Sequence, residues 1–409
     1  MRSGWTRIGL GAVLATGLAA PAQAAGPAAT AATLGREMRS AGTASSALVV
    51  DVNSRETLYT RRAAAGRVPA SVNKLHTTAA ALVRMGPDAT LTTDLLLAGP
   101  AVDGTVPGDV YLRGGGDFTF GARQARKLAE ALAAEGVGTV RGRVIGDEGL
   151  FDARRGPPSA NFHTSPWVGP LSALSYDRGM SGRSWPRFQA RPALFAAQRF
   201  ERALRRAGIS IRRDARTGAT PESAQLVLRA PSVPLPSLLA AVNQPSDNFG
   251  AEMLLKQLGA RFAGSGSTAG GVRVIDEVMT ELGVSARVVD GSGLSRVNRT
   301  TATDVVALLS AMDASPDGPA FERSLPTAGR SGTLRRRMRG TPAQGNCRAK
   351  TGTLTGISTL AGYCDAPGGR LAFAFLFDGV DVTAARSRQD RMTATLATYE
   401  SAGTVVTRR

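Results

Sequence analysis

The sequence predicts a mixed α/β protein of the α+β kind: an antiparallel sheet flanked by helices, an all-helical lobe beside it, and a module inserted into the chain. Three observations carry the expectation. Strand patterns occur near 46–60 and again, far along the chain, near 345–378. Between about 237 and 312 the chain reads as helices broken by short loops. From about Thr93 to the prolines at 231, 234 and 236 the texture changes to short strands, glycine turns and isolated helices. Helices on both faces of a sheet, with a helical layer alongside, bury such a set of elements.

The chain opens Met1-Arg2, has Arg7 close behind, runs apolar and small from Ile8 to Ala20, then reads Ala22-Gln23-Ala24. That is the layout of a cleavable secretory signal over 1–24, with a mature chain from about Ala25. The apolar run falls short of the roughly eighteen residues a membrane span needs, so no transmembrane anchor is expected after cleavage. Residues 27–39 form an Ala-rich first helix, and 46–60 two strands about a turn at Asn53-Ser54. A helix from about Ser71 ends near Gly86-Pro87, with Leu75, Ala79, Leu82 and Val83 as its buried stripe. Inside the insert, 109–117 and 144–151 are strands with turns, 122–134 is a helix, and another helix has Pro192 in its first turn and Gly208 past its end. The three prolines read as a linker. Helices follow at 237–242, 247–258, 271–282 and 302–312, with Gly264-Ser-Gly-Ser267 linker-like. A hairpin across 347–364, an apolar strand at 371–377 and a helix from Thr383 to about Glu400 close the chain. The division is therefore signal 1–24, a main domain split between 25–93 and 236–409, and an accessory module at 94–235 of one or two subdomains.

The formal net charge is +18, or +16 once Arg2 and Arg7 leave with the signal. Outside the cytoplasm that attracts anionic wall or membrane-surface polymers more than DNA. The densest basic run holds Arg330, Arg335, Arg336, Arg337 and Arg339. No aromatic residue is interleaved there to stack bases, so it reads as solvated surface and nucleic-acid binding is not expected. Cys347 and Cys364 suit one disulfide in an oxidising compartment and exclude a Cys-rich zinc framework. His76 and His163 are the only histidines and no His-Glu-x-x-His occurs, so neither metal nor cofactor is expected. His76, two residues past Lys74, points to a different face from it and reads as structural. Of 50 basic residues 46 are arginine, leaving Lys74, Lys127, Lys256 and Lys350. A lysine that persists in such a chain marks a place where the cation must be able to lose its proton, which guanidinium does not do. Lys127 and Lys256 read instead as surface residues.

Three short motifs stand in order. Pro69-Ala-Ser-Val-Asn-Lys74 sets Ser71 and Lys74 three apart on one helical face, a hydroxyl beside an amine. Ser246-Asp247-Asn248 lies where two helices meet, just after Pro245, and Lys350-Thr351-Gly352 lies on the strand before the hairpin turn. Each alone is weak: Ser-Asp-Asn could be a helix cap and nothing more. The set is specific, and two of the four lysines fall in it.

In this set the chain resembles the penicillin-binding proteins and serine β-lactamases. Val168-Gly-Pro-Leu-Ser-Ala-Leu-Ser175, Ser246-Asp-Asn-Phe-Gly-Ala-Glu-Met253, Asp290-Gly-Ser-Gly-Leu-Ser-Arg296 and Lys350-Thr-Gly-Thr-Leu-Thr-Gly356 narrow the likeness. They are similar to the low-molecular-mass class C penicillin-binding proteins, D-alanyl-D-alanine carboxypeptidases and endopeptidases of the bacterial wall. The resemblance implies a serine β-lactamase/transpeptidase-like fold with its site in the cleft between sheet and lobe. It implies peptidoglycan stem peptides as substrate, β-lactam antibiotics as inhibitors and an extracytoplasmic or periplasmic location. It implies roles as well. Ser71 attacks the D-Ala-D-Ala carbonyl, and Lys74 is its base if burial, the helix N-terminus and Lys350 lower its pKa. Ser246 relays a proton to the leaving amine, and Asn248 holds Lys74 and the substrate. Lys350 and Thr351 bind the terminal carboxylate, Gly352 gives the substrate backbone room, and the N–H groups of Ser71 and Thr353 form an oxyanion hole.

If the hairpin turns on Thr355-Gly356, Cys347 and Cys364 lie directly opposite each other, which predicts a cross-strand disulfide behind Lys350. Rivals on the same fold are a β-lactamase, which the lack of any Leu-Asn pair for a class A deacylation motif disfavours, and an esterase. A non-catalytic peptidoglycan-binding protein would be expected to have lost Ser71, Lys74 or Lys350, and none is lost.

Overall fold

The computed structural model describes residues 25–182 and 187–401; the expected signal lies outside them. The chain starts with α1 (Pro27–Arg39), then β1 (Ser46–Asp51) and β2 (Thr57–Arg61). The Asp51 carboxylate accepts the backbone N–H groups of Asn53 and Ser54 and so closes the turn between the two strands. A 3₁₀ turn over Ala70–Asn73 leads into α2 (Lys74–Met85), which ends at Gly86 with φ 77°.

The segment expected as an insertion comes next. It holds β3 (Thr92–Leu97), β4 (Thr105–Val106), β5 (Val110–Gly114), α3 (Ala122–Ala134), β6 (Thr139–Val140) and β7 (Val144–Asp147). After these come α4 (Pro192–Arg206), β8 (Ser210–Ile211), β9 (Arg216–Thr217) and β10 (Gln225–Pro231). Its strands form a five-stranded sheet ordered β10-β3-β5-β7-β9 and a small parallel sheet β4-β6-β8. One apolar cluster, running from Leu95 to Ala230 and including Val106, Val140 and Ile209, serves both. Phe118, Phe151, Val168 and Leu171 leave it and pack into the core of the helical lobe.

The prolines read as a linker do structural work instead. Pro231 ends edge strand β10, and Pro234 caps α5 (Leu235–Asn243), with Pro236 in its first turn. The lobe continues with α6 (Asn248–Phe262), α7 (Thr268–Glu281), α8 (Ala302–Ala314) and α9 (Gly318–Arg323). The caps are legible chemistry. The carboxylate of Asp247 accepts from Gly250 N, the hydroxyl of Ser267 from Gly270 N, and Thr301 with Asp304 forms a capping box. The linker-like Ser267 is thus a helix start.

The chain closes with β11 (Cys347–Leu354), β12 (Ile357–Ala366), β13 (Gly369–Asp378) and α10 (Val382–Leu396). The main sheet is antiparallel, ordered β11-β12-β13-β1-β2, so the two remote strand regions meet as β13 pairs with β1. Alternation on β13 assigns the faces. Phe373, Phe375 and Phe377 pack with Leu34 of α1 and Met392 and Leu396 of α10, whereas Ala372, Ala374 and Leu376 face α8 and the lobe. Helix α2 runs through the middle of that lobe. Every residue from Lys74 to Leu82 is buried, so the expected stripe is a whole circumference, and Val83, assigned to it, is half-buried.

Strand β11 is the sheet edge beside the 3₁₀ turn. The segment 326–328 bonds its first residues through Pro326 O with Ala349 N and Ala328 N with Cys347 O. Among the described residues no strand covers that edge from Lys350 onward.

Candidate active site

The turn that presents Ser71 is held by its neighbours. Ala70 sits at φ 47°, a conformation costing a residue with a Cβ about 1–3 kcal/mol. Thr359 Oγ1 donates to Pro69 O at 2.8 Å, fixing the turn against the sheet. The space left by the absent side chain of Gly352 is filled from the same side: a Cβ there would lie 2.8 Å from Pro69 O and 2.9 Å from Ser71 N. Gly352 thus lets the turn bearing Ser71 lie close against β11. Gly293 does the same on the other flank, where a Cβ would come within 2.0 Å of Ala70 O.

Ser71 is half-buried, and Lys74 beneath it is fully buried. Lys74 Nζ lies 2.9 Å from Ser71 Oγ, 2.8 Å from Asn248 Oδ1 and 2.6 Å from Ser292 O. The last two can only accept. A neutral amine has two N–H groups and one lone pair, so it satisfies both acceptors and offers the lone pair to the Ser71 hydroxyl. Burial lowers the Lys74 pKa from 10.5 to about 8, against the carboxylates of Asp247, Asp290 and Glu252, which hold it up.

The second motif supplies Ser246, at φ 62°, and Asn248, the first residue of α6. Asn248 Nδ2 donates to Trp167 O at 3.3 Å. Between them Asp247 caps α6 and pairs with Arg178 at 2.5 Å, so the helix-cap reading of this tripeptide is true of its middle residue. The third motif is on the open edge. Lys350 Nζ, fully buried, donates to Ser246 Oγ at 2.9 Å and to Thr351 O at 2.8 Å. Burial, and then the proximity of Lys74, drive its pKa well below 10.5. Thr351 Oγ1 bonds Thr333 Oγ1 at 2.8 Å, and Arg386 Nη2 of α10 donates to Thr353 Oγ1 at 3.0 Å. A hydroxyl, two amines of lowered basicity, an amide and an open strand edge therefore converge, which is what acyl transfer through a serine ester requires.

The D-Ala-D-Ala carboxypeptidase 3 (S13) family matches this chain over residues 32–187 and 180–399. The chain belongs to that family. It is 32% identical to a D-alanyl-D-alanine carboxypeptidase from an Actinomadura species over 88% of this chain and 82% of that protein. It is 31% identical to the carboxypeptidase DacB of Mycolicibacterium smegmatis over 85% of this chain and 79% of that one. Among solved structures, penicillin binding protein 4 of Haemophilus influenzae superposes with a TM-score of 0.77 at 21% identity, covering 89% of this chain and 98% of that one. A predatory peptidoglycan endopeptidase of Bdellovibrio bacteriovorus follows the same fold, with a TM-score of 0.56, 19% identity and coverage of 86% and 90%. The chain is a serine-type D-alanyl-D-alanine carboxypeptidase with the fold its motifs implied.

The candidate site contains residues that sequence reasoning missed. Glu252 Oε1 accepts from Ser292 N at 2.9 Å, and Asp290 Oδ1 accepts from Gly293 N at 2.7 Å. Two fully buried carboxylates thus hold the loop whose Ser292 carbonyl meets Lys74. Burial, then the charge of Asp290, raises the Glu252 pKa from 4.5 to about 7. A signal existed: Asn248, Glu252 and Lys256 recur every four residues on α6, a polar stripe in a helix that is otherwise largely apolar. Lys256, read as surface, is fully buried and paired to Asp152 at 2.5 Å, whereas Lys127 is exposed as expected. His76 is buried and makes no hydrogen bond with Ser71, Lys74, Ser246 or Lys350. Burial lowers its pKa from 6.5 to about 4, so it is neutral, and Nδ1 faces Asn73 O at 3.3 Å. His163 lies between β7 and α4 and is exposed. No group of His, Cys, Asp and Glu capable of holding a metal occurs among the described residues.

Proposed function

We propose that Ser71 is the acylating nucleophile of this carboxypeptidase and Lys74 its general base, acting on peptidoglycan stem peptides ending in D-Ala-D-Ala. The observation that carries the reading is the Lys74 amine 2.9 Å from the Ser71 hydroxyl with two acceptor-only oxygens as its other partners. Ser71 Oγ bonds to the carbonyl carbon of the penultimate D-Ala as its proton passes to Lys74 Nζ. The backbone N–H groups of Ser71 and Thr353 receive the oxyanion. The C–N bond then breaks, with Ser246 handing its proton to the departing amine of the terminal D-Ala and taking a replacement from the Lys74 ammonium, which leaves Lys74 neutral. Asn248 holds Lys74 in place, and neutral Lys74 takes a proton from a water that attacks the ester, then returns it to Ser71 Oγ as the acyl–oxygen bond breaks.

Lys350 and Thr351 recognise the terminal carboxylate, with the guanidinium of Arg386 close by on Thr353. An arriving carboxylate favours the ammonium form of Lys350, so binding takes up a proton wherever free Lys350 is neutral. The free edge of β11 beyond Lys350 supports binding of the peptide as an added strand, and Gly352 serves that edge by letting it lie against Ser71. β-Lactams resemble the peptide and acylate Ser71 as inhibitors. Residues 1–24 act as a signal peptide, the enzyme works in the periplasm or wall space, and the inserted segment is a separate accessory module.

Labelling with a fluorescent penicillin tests the assignment. The wild type is expected to form a stable adduct, and both Ser71→Ala and Lys74→Arg to lose it, the second because arginine keeps charge but not basicity. Labelling that survives Ser71→Ala overturns the assignment.

A further inference from the structure

The inserted segment carries a groove that the reaction does not use. It lies between α3 and α4, has a volume of about 830 Å³, and is lined by Arg123, Arg126, Arg199, Arg202 and Arg206. Arg123 and Arg126 are three apart on α3, and Arg199, Arg202 and Arg206 recur at three- and four-residue spacing on α4, so they form two facing ridges. The ridge on α4, from Arg199 to Arg206, is about 10 Å long. Ala122, Ala125, Ala203 and Ala207 form an apolar floor.

The groove's own acids, Glu130 and Asp177, leave most of this charge uncompensated. Glu130 lies 3.6 Å from Arg126 in an exposed pair, and burial raises the Asp177 pKa, an effect that the nearby charge of Arg199 offsets only in part. Arg123, Arg202 and Arg206 have no side-chain ion pair among the described residues. Arg199 stacks 4.5 Å over the Phe195 ring, and its buried Nε–H has no partner there.

We propose that this groove binds the phosphodiester backbone of an anionic wall polymer, which holds the enzyme on the wall it trims. Two ridges of guanidinium forks suit a chain of single charges that can accept hydrogen bonds from both sides. The lining has no amide or aliphatic hydroxyl side chain to satisfy a polyhydroxylated sugar ring, whereas the alanine floor suits the methylenes of an alditol phosphate. Nucleic acid fits less well. Tyr176, the one aromatic residue lining the groove, is buried edge-on between Phe120 and Phe195, with centroids at 5.9 and 6.0 Å, and offers no open face for a base. The proposal goes beyond the catalytic reading and does not depend on it.

The test uses the whole secreted chain and fluorescent poly(glycerol phosphate), read by anisotropy across a salt series. Arg199→Glu/Arg202→Glu and, independently, Arg123→Glu/Arg126→Glu are each expected to weaken binding by about tenfold or more and to flatten its salt dependence. Arg212→Glu/Arg213→Glu, an equal reversal at exposed positions of the same segment but outside the groove, is expected to change it by no more than about twofold. Cleavage of a soluble D-Ala-D-Ala peptide should be unchanged in all three, so a fault in the catalytic assignment shows separately. The proposal is overturned if a natively folded groove variant binds like wild type, or if the control loses as much affinity. It is equally overturned if polygalacturonate, single-stranded DNA or phosphatidylglycerol vesicles bind through the same arginines as tightly as the phosphodiester polymer.

Discussion

Burial holds the Lys74 ammonium at about 8, so the fraction of enzyme with a free base at Ser71 grows as pH rises through that value. The rate of acylation by a penicillin is expected to rise across pH 7–9 and then level, and stopped-flow labelling would show it. Stability should move with it. Lys74 binds its proton less tightly folded than unfolded, so between about 8 and 10.5 the unfolded chain carries more protons and stability rises with pH. Glu252 acts in the opposite sense. Its folded pKa of about 7 lies above 4.5, so its contribution is full below 4.5 and is lost as pH rises toward 7. Glu252→Gln keeps an acceptor for Ser292 N but removes a charge that supports the Lys74 ammonium. The expected result is a shift of the acylation midpoint to lower pH, together with loss of the stability slope between 4.5 and 7. An unchanged midpoint would show that Glu252 is only structural. At this scale the juxtaposition of Ser71 and Lys74 was legible because their spacing and the scarcity of lysine are written in the chain. The Ser292 carbonyl was not, because a carbonyl has no residue signature, and the α6 stripe marks Glu252 without showing that it acts through a loop 40 residues away.

The hairpin β11–β12 shows where register is readable. A two-residue turn fixes which residues face each other, and the structure pairs Cys347 with Cys364 and joins them by a disulfide. With the partners 17 positions apart in the chain, the bond restricts the unfolded chain by about 3 kcal/mol. Cys347→Ala/Cys364→Ala should lower the melting temperature by several degrees in differential scanning calorimetry while penicillin labelling persists, since the bond lies behind the edge that carries Lys350. The element boundaries around the prolines were harder to read. β10 is an edge strand whose Leu226-Val227-Leu228 run does not alternate, and it passes almost directly into α5, so a strand end and a helix start looked like one linker.

On the scale of the whole molecule, two ion pairs tie the inserted segment to the lobe, and both land on or beside α6. Lys256 meets Asp152, and Asp247 meets Arg178. Burial lowers the Lys256 pKa while Asp152 holds it up, so Asp152→Ala strands a buried ammonium. The expected cost is about 3 kcal/mol, at the low end for a buried pair because Asp152 is 31% exposed. Adding Lys256→Met should recover most of it in urea denaturation, since no charge is then left unpaired. The order of strands and helices did not show that loops of the segment between α2 and α5 would supply counter-charges for the helix carrying Asn248.

Those tethers bear on how such a chain could be shortened. Deleting the stretch between α2 and α5 would leave an ammonium in the lobe's interior without a carboxylate and would strip the residue between Ser246 and Asn248 of its guanidinium. Gene trimming that succeeds must therefore replace Lys256 in the same step, and a compact descendant of this enzyme should carry an apolar residue there.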